Sequence, residues 1–355
     1  RDLHLSLRRQ RQMCIRDSTD GVQGFIMVGV GVLVAVLFCL GYGIEGGFEG
    51  MISALGNQDE NLVGWLNVTD VLYHSWWAVF AVFLAHVPLG MLPHIGNKLW
   101  ALKEPTQRMQ FIRLAFVFAL ILAMLGFGGI MARVILGEGI DSNQALALLF
   151  IDLFPSWFAA LLGVGILAAV MSTADGLVVS SSQIVANDLY RLSFVPRYRK
   201  DLSEEEIERR SLNISRISTV VIMILCTLLA WQTLDMNVTI LVWIGVGCMM
   251  AAFAGPLILG SVWSGVTKAG AFAGLLTGGG VYIITYLGVI NPEWFGPGSL
   301  KDIALWLQRE SPNPYSCAAM GEITSIAVTV VVSKLTAPYP KEHIDALFGK
   351  SVPTD

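Results

Sequence analysis

Apolar residues run along this chain in blocks of roughly 17 to 25 residues, the length that crosses a bilayer as a helix, and polar connections separate them. Eight blocks are predicted as spans, at about 24–42, 71–93, 111–136, 157–190, 214–231, 238–263, 269–290 and 317–335. Between spans, Asn143 to Phe154 places apolar residues at helical intervals and stops at Pro155, which predicts an amphipathic helix on the outer surface. Ser203 to Arg210 sets acidic residues before basic ones, as the helix dipole prefers, and predicts the cytoplasmic start of the next span. Asn291 to Pro314 reads as an external loop. The pattern predicts an all-α polytopic membrane protein. Composition agrees, because 54% hydrophobic residues, 14% charged residues and a mean hydropathy of +0.63 lie outside the range of a soluble domain.

The fourth block has the most informative patterning. From Gly163 to Tyr190 it is apolar on most sides. At about 3.6 residues per turn, however, Gly165, Ala169, Ser172, Thr173, Gly176, Ser180, Gln183 and Asn187 fall near one face, with Asp175 flanking it. Polar groups in hydrocarbon need partners inside the protein or mark a solute path, so the stripe is expected to face other helices or an ion. The spacing of Ser172 and Thr173 fits three roles: oxygen ligands for a hard cation, bonds back to the carbonyl four residues earlier, or links between helices.

Charge then orients the spans. Lys98, Lys103, Arg108 and Arg113 share one connection, and Arg191, Arg197, Arg199, Lys200, Arg209, Arg210 and Arg216 crowd another. Lys268, Lys334, Lys341 and Lys350 fall on the same side, which is expected to be cytoplasmic together with the C-terminus. The opposite connections carry Glu45, Glu49, Asp59, Glu60, Asp70, Glu138 and Asp141, with only Arg133, Lys301 and Arg309 dissenting. The net charge of −4 adds little, and no long basic run suggests nucleic acid. The five cysteines lack C-x-x-C spacing, so no metal or disulfide role is expected of them. The chain has no H-E-x-x-H, P-loop or G-x-S-x-G, and its five histidines do not cluster at ligand spacing. Neither enzymatic catalysis nor a cofactor is therefore expected.

Residues 1–18 stand apart, being basic and without the apolar core of a signal peptide or span. Arg8 to Asp17 coincides with the translation of a transposon-type sequencing adapter, so 1–18 is expected to carry no fold. The membrane domain is then expected over 19–335, followed by a short cytoplasmic tail at 336–355.

Ala168 to Thr173, AAVMST, followed by Ser180 to Tyr190, SSSQIVANDLY, resembles the sodium:solute symporter family. TDGVQ at Thr19 to Gln23, LPH at Leu92 to His94 and GAFAG at Gly270 to Gly274 agree in the family's order. The resemblance implies part of the LeuT-like inverted-repeat transporter fold, with sodium and substrate near the bilayer midplane. The first span would be the fifth core helix, spans two to six the second repeat, and the last two accessory helices. Helices preceding Thr19 would supply the rest of the sodium and substrate sites, so transport is expected only of the complete protein.

Carried onto this chain, the family's sodium ligands fall on Ala169, Ser172 and Thr173. Neutral oxygens suit a hard cation that must leave again. Asp20 matches an acidic residue linked to a second cation in some relatives, and Asp175 is the one carboxylate deep in an apolar segment. A watery cytoplasmic vestibule accounts equally well for both carboxylates. The substrate-facing helix carries HVPLGMLPH at His86 to His94, which predicts either an unwound segment or a proline kink. Ala85, His86, Leu89 and Pro93 are the substrate-lining candidates. Ala85 and Leu89 depart from the aromatic residues of proline-transporting relatives. His74, Trp76 and Trp77 read as an entrance lining or an interfacial belt, Arg133 as a carboxylate partner or a snorkelling cation, and Glu322 as interfacial.

The expected function is sodium-coupled symport of a small organic solute (an organic acid, vitamin-like acid, amino acid or sugar) in a plasma or bacterial inner membrane. Sodium is the coupling ion, and the solute, sodium and lipid are the partners. The alternative is a membrane solute-sensing module of a signalling protein built on the same fold.

Overall fold

The computed structural model describes residues 2–92, 95–96, 102, 104–199, 201–340, 342 and 344–345, and all regular structure among them is helical. In chain order the main helices are α1 (Asp2–Leu40), α2 (Gly47–Gln58), α3 (Trp76–Ala85), α4 (Pro105–Ala123), α5 (Gly126–Leu136), α6 (Ala145–Leu153), α7 (Ser156–Gln183), α8 (Glu204–Gln232), α9 (Val238–Phe253), α10 (Lys268–Tyr286), α11 (Ser299–Glu310) and α12 (Pro314–Leu335). Two π-helical stretches, Ile184–Phe194 and Ala254–Leu259, extend α7 and α9.

Seven helical segments among the described residues are long and apolar enough to cross a membrane, and they coincide with seven of the eight predicted spans. The remaining predicted span, at 71–93, is corrected to a shorter apolar segment, Trp76–Gly90, made of α3 and a 3-10 helix at Val87–Met91. Pro88 lacks the amide hydrogen that α-helical bonding needs and forces the change. The amphipathic helix and the Ser203 start are found as α6 and α8, and the Ser203 hydroxyl accepts from the Glu206 amide at 3.3 Å. Helices α2 and α11 were not foreseen, and α11 occupies the stretch read as an external loop. Residues 2–18, expected to carry no fold, continue α1 as helix, in keeping with the propensities of Leu, Arg and Gln.

Two compact units form. The first comprises 1–58 and 97–235. In it α1 ends in a Schellman motif, with the Tyr42 amide bonded to the Leu37 carbonyl at 3.0 Å and the Gly41 amide to Phe38 at 3.1 Å. Gly41 has φ +58, and a Cβ there would run into the Gly47 backbone, so glycine lets α2 fold back at once. Leu37, Met51, Leu55, Met131, Ala132 and Leu149 then close one apolar core. Val30, Val34, Phe150, Ala159 and Leu162 form another, which joins α1 to α7.

The second unit comprises 59–96 and 236–355 and is organised by α12. Asn313 caps α12 by accepting from the Tyr315 and Ser316 amides at 3.0 and 3.2 Å, and Pro314 occupies the first turn, where no amide is required. Glycines on α10 recur every fourth residue, at Gly270, Gly274 and Gly278, and seat α12 against bare backbone. A Cβ at Gly270 would strike the Ser333 hydroxyl, at Gly274 the Thr329 hydroxyl, and at Gly278 the Ala251 carbonyl. Glu322 on α12 is only 1% exposed, correcting its interfacial assignment, and Oε1 has no hydrogen-bond partner among the described residues.

Ser325 on α12 repairs the π-helical stretch. Pro256 has no amide to give the Ala252 carbonyl four residues earlier; the Ser325 hydroxyl donates to that carbonyl at 3.2 Å and accepts from the Gly255 amide at 3.0 Å. Two backbone groups therefore depend on one side chain. Ser325→Ala should lower the stability of the complete protein by about 1–3 kcal/mol, read as a lower melting temperature in detergent. An unchanged melting temperature would show that the π-helical stretch satisfies itself. Gly278→Val should destabilise by a similar or greater amount, about 1–3 kcal/mol, because a backbone carbonyl cannot swing aside as a side chain can.

Candidate functional site

On α7 the buried residues Ala159, Leu162, Gly165 and Ala168 recur every third position. This is the spacing of a helix face laid along a neighbour. That neighbour is α1: a Cβ on Gly165 would sit 3.0 Å from Val30 Cγ2 and 3.1 Å from Ile26 Cγ2. Further along, Val170, Met171, Thr173, Ala174 and Asp175 are all exposed. Burial resumes only at Ser180 and Ser182, where the Ser182 hydroxyl donates to the Val179 carbonyl at 2.9 Å. The middle of this span thus presents a hydroxyl and a carboxylate outside the packed face. A membrane helix does not place such groups against lipid without a partner, a water cavity or an ion.

Ala169, Ser172 and Asp20 lie in helical backbone, and their side chains fall outside the described residues. The stripe expected at α-helical spacing does not run through to Asn187, because i→i+5 bonding takes over at Ile184 and resets the faces. The Ser193 hydroxyl follows the wider register, donating at 2.7 Å to the Asp188 carbonyl five residues earlier. Gln183 and Asn187 instead line a groove of about 230 Å³ with Arg191, Glu208 and Ser215.

The second candidate set lies around the end of α3. Helix α3 gives way to 3-10 bonding at His86, whose amide bonds the Phe83 carbonyl at 3.2 Å. The Val82 carbonyl is taken by His86 Nδ1 at 2.6 Å, and since a carbonyl only accepts, Nδ1 carries the hydrogen. The His86 ring is exposed and packs against Trp243 at 4.5 Å and Tyr315 at 5.9 Å between ring centroids. Ala85 has no exposed surface and joins the apolar core of Trp243, Met250, Tyr282 and Tyr315, with Leu89 packed at its edge. Of the substrate-lining candidates described, His86 and the partly exposed Leu89 are therefore reachable, whereas Ala85 is not. Pro93 lies outside the described residues, and the segment predicted as either unwound or kinked is a 3-10 helix up to Met91.

Near the start of α3, Trp76 is exposed, whereas Trp77 serves packing. Trp77 Nε1 donates to the Ser316 hydroxyl at 2.6 Å, and its ring meets Trp306 at 5.5 Å between centroids. His74 is 7% exposed, so it does not line an entrance. Its Nδ1 lies 3.1 Å from the Val71 carbonyl and its Nε2 2.9 Å from Glu310 Oε1. Sequence reasoning missed this pair, whose partners stand 236 positions apart in an unforeseen helix. Arg133 bonds Glu138 at 2.5 Å instead of presenting a free guanidinium to a solute.

With this geometry established, comparison identifies the class. The sodium:solute symporter family matches residues 17–278, and the chain belongs to that family. A sodium/pantothenate symporter of Haemophilus influenzae is 26% identical over 278 residues, 76% of this chain and 54% of the relative. The sodium/pantothenate symporter of Escherichia coli K12 is 25% identical over 284 residues, 78% of this chain and 55% of the relative. A sodium/proline symporter of Staphylococcus aureus is 24% identical over 320 residues, 90% of this chain and 57% of the relative. The chain spans about half the length of the curated relatives it matches. These relatives carry the names of transporters, in keeping with a multi-pass membrane protein.

Breaking the buried His74–Glu310 pair should be costly, because truncating one member leaves the other without compensation. Glu310→Ala is expected to lower stability by about 3–5 kcal/mol, measured as the melting temperature of the complete protein. A loss no larger than that of an exposed substitution would mean that water replaces the carboxylate.

Proposed function

We propose that the complete protein is a secondary active symporter that couples sodium entry to uptake of a small organic solute by alternating access. The observation that carries this reading is the exposed polar stretch of α7 around Thr173 and Asp175, in the middle of a helix whose packed face before Ala169 is made of small and apolar residues. Ala169, Ser172 and Thr173 form one wall of a cation site, offering a helix carbonyl and two hydroxyls without a fixed charge. Such neutral oxygens hold sodium weakly enough to release it on the other side. Asp20 and Asp175 are second-tier groups of the same cation path. The remaining wall belongs to helices of the complete protein, in the arrangement of the inverted-repeat fold.

His86 and Leu89 are the solute-facing groups of the second candidate set, and Pro93 remains a candidate on sequence alone. The absence of aromatic side chains at Ala85 and Leu89 argues against proline, and a vitamin-like acid of the kind two of the relatives are named for is the first solute to try. The Lys and Arg distribution supports a cytoplasmic C-terminus.

In the complete protein, Ser172→Ala and Thr173→Ala should each raise the sodium concentration for half-maximal uptake by about tenfold, the equivalent of one lost contact of roughly 1.4 kcal/mol. Unchanged sodium dependence in both variants would remove these residues from the site.

A further inference from the structure

Two grooves of opposite chemistry lie one after the other along a single face of α8. Glu208, Leu212, Ser215, Thr219 and Met223 follow one another at i, i+4, i+7, i+11 and i+15, the spacing of one helix face. The first part of that face borders the groove of about 230 Å³ shared with the end of α7, and the second part borders a groove of about 380 Å³. The first groove is polar and carries both signs of charge, with Arg191 and Glu208 accompanied by Gln183, Asn187, Ser211 and Ser215. The Ser211 hydroxyl oxygen is buried and has no hydrogen-bond partner among the described residues. Such a group calls for a ligand atom. Arg191 meets Glu204 at 3.4 Å in an exposed pair, a weak arrangement that a ligand can replace.

The second groove is lined by Val220, Met223, Ile224 and Leu228, together with Thr219 and Thr227. Both threonine hydroxyls turn back on the helix and donate to the Ser215 and Met223 carbonyls at 2.9 and 2.8 Å, so the groove offers a ligand an apolar surface. From Thr219 to Leu228 it runs about 14 Å at a rise of about 1.5 Å per residue. That is close to the roughly 15 Å of hydrocarbon in one leaflet. Arg197, Arg199, Arg209, Arg210 and Arg216 gather near the polar groove in sequence, which places that groove among headgroups and the apolar one among acyl chains.

We infer that a phospholipid stands along α8, its phosphate taken by Arg191 and the Ser211 hydroxyl and one acyl chain lying in the apolar groove. A headgroup that carries an amine as well as the phosphate fits this site, because the Glu208 carboxylate attracts an ammonium and disfavours a purely anionic headgroup. A soluble phosphate ester would use the first groove alone; the second groove points to a lipid. The inference is independent of the symport reading.

The test is lipid binding by the complete protein in detergent, read as bound mass by native mass spectrometry. The titrants are phosphatidylethanolamine, phosphatidylglycerol, diacylglycerol of the same chains and free phosphoethanolamine. Phosphatidylethanolamine should bind at least about tenfold tighter than diacylglycerol or phosphoethanolamine, since head and chain act together. Arg191→Gln should weaken phosphatidylethanolamine about tenfold and leave diacylglycerol unchanged, whereas Met223→Trp, which fills the apolar groove, should weaken both. Glu208→Gln should narrow the preference for phosphatidylethanolamine over phosphatidylglycerol; an unchanged preference would overturn the choice of an amine headgroup. Phosphoethanolamine bound as tightly as the lipid would overturn the inference in favour of a soluble phosphate ester. A parent protein that binds no phosphatidylethanolamine would overturn it too, with another helix of the complete protein filling the grooves. Parent-like lipid affinity in Arg191→Gln would place the lipid elsewhere and likewise overturn it. If Arg191→Gln does not accumulate, Met223→Trp decides: a drop of about tenfold in affinity for phosphatidylethanolamine supports the inference, and parent-like affinity overturns it.

Discussion

A polar group inside a membrane protein must be partnered by the protein, because the surrounding hydrocarbon offers nothing. The second unit shows how closely that constraint governs packing. Pro256 opens the backbone ladder of α9, and the Ser325 hydroxyl closes it from α12. For Ser325 to come that close, the helices must meet without side chains between them, and Gly270, Gly274 and Gly278 provide the bare surface. Ser333 completes the same seam by accepting the Thr267 amide at 3.1 Å.

The first unit uses the same materials differently. Gly165 lets α1 and α7 approach, and the buried positions of α7 keep a regular spacing as far as Ala168. Between Ala168 and Ser180 none of the described residues of the helix is buried. In α7 Thr173 and Asp175 stand outside the packed face. Polar groups displayed in this way on a membrane helix call for a partner, water or an ion, which is the observation behind the proposed cation path.

Much of this organisation was legible in the sequence. Block lengths located the long helices, Ser203 marked the start of α8, and the spacing within Asn143 to Phe154 anticipated α6. The AAVMST and SSSQIVANDLY segments identified the family before any geometry was available. What escaped has physical causes. Helix α11 looked like a loop because its mixed polar sequence carries no long apolar run. The His74–Glu310 pair joins residues too distant in sequence for any local pattern to connect. The break after Ala85 followed from Pro88, but 3-10 bonding in place of an unwound segment depends on which carbonyls His86 takes. Glu322 resembled an interfacial carboxylate because its burial depends on helix packing, which local sequence does not show.

The central claim is that ion movement through the path beside α7 drives solute uptake. Its most direct test is uptake of labelled solutes, beginning with pantothenate-like acids, by the complete protein in proteoliposomes with an inward sodium gradient imposed and then dissipated. Accumulation above the external concentration should appear with the gradient and collapse when the gradient is removed. Accumulation that persists without sodium would contradict the account.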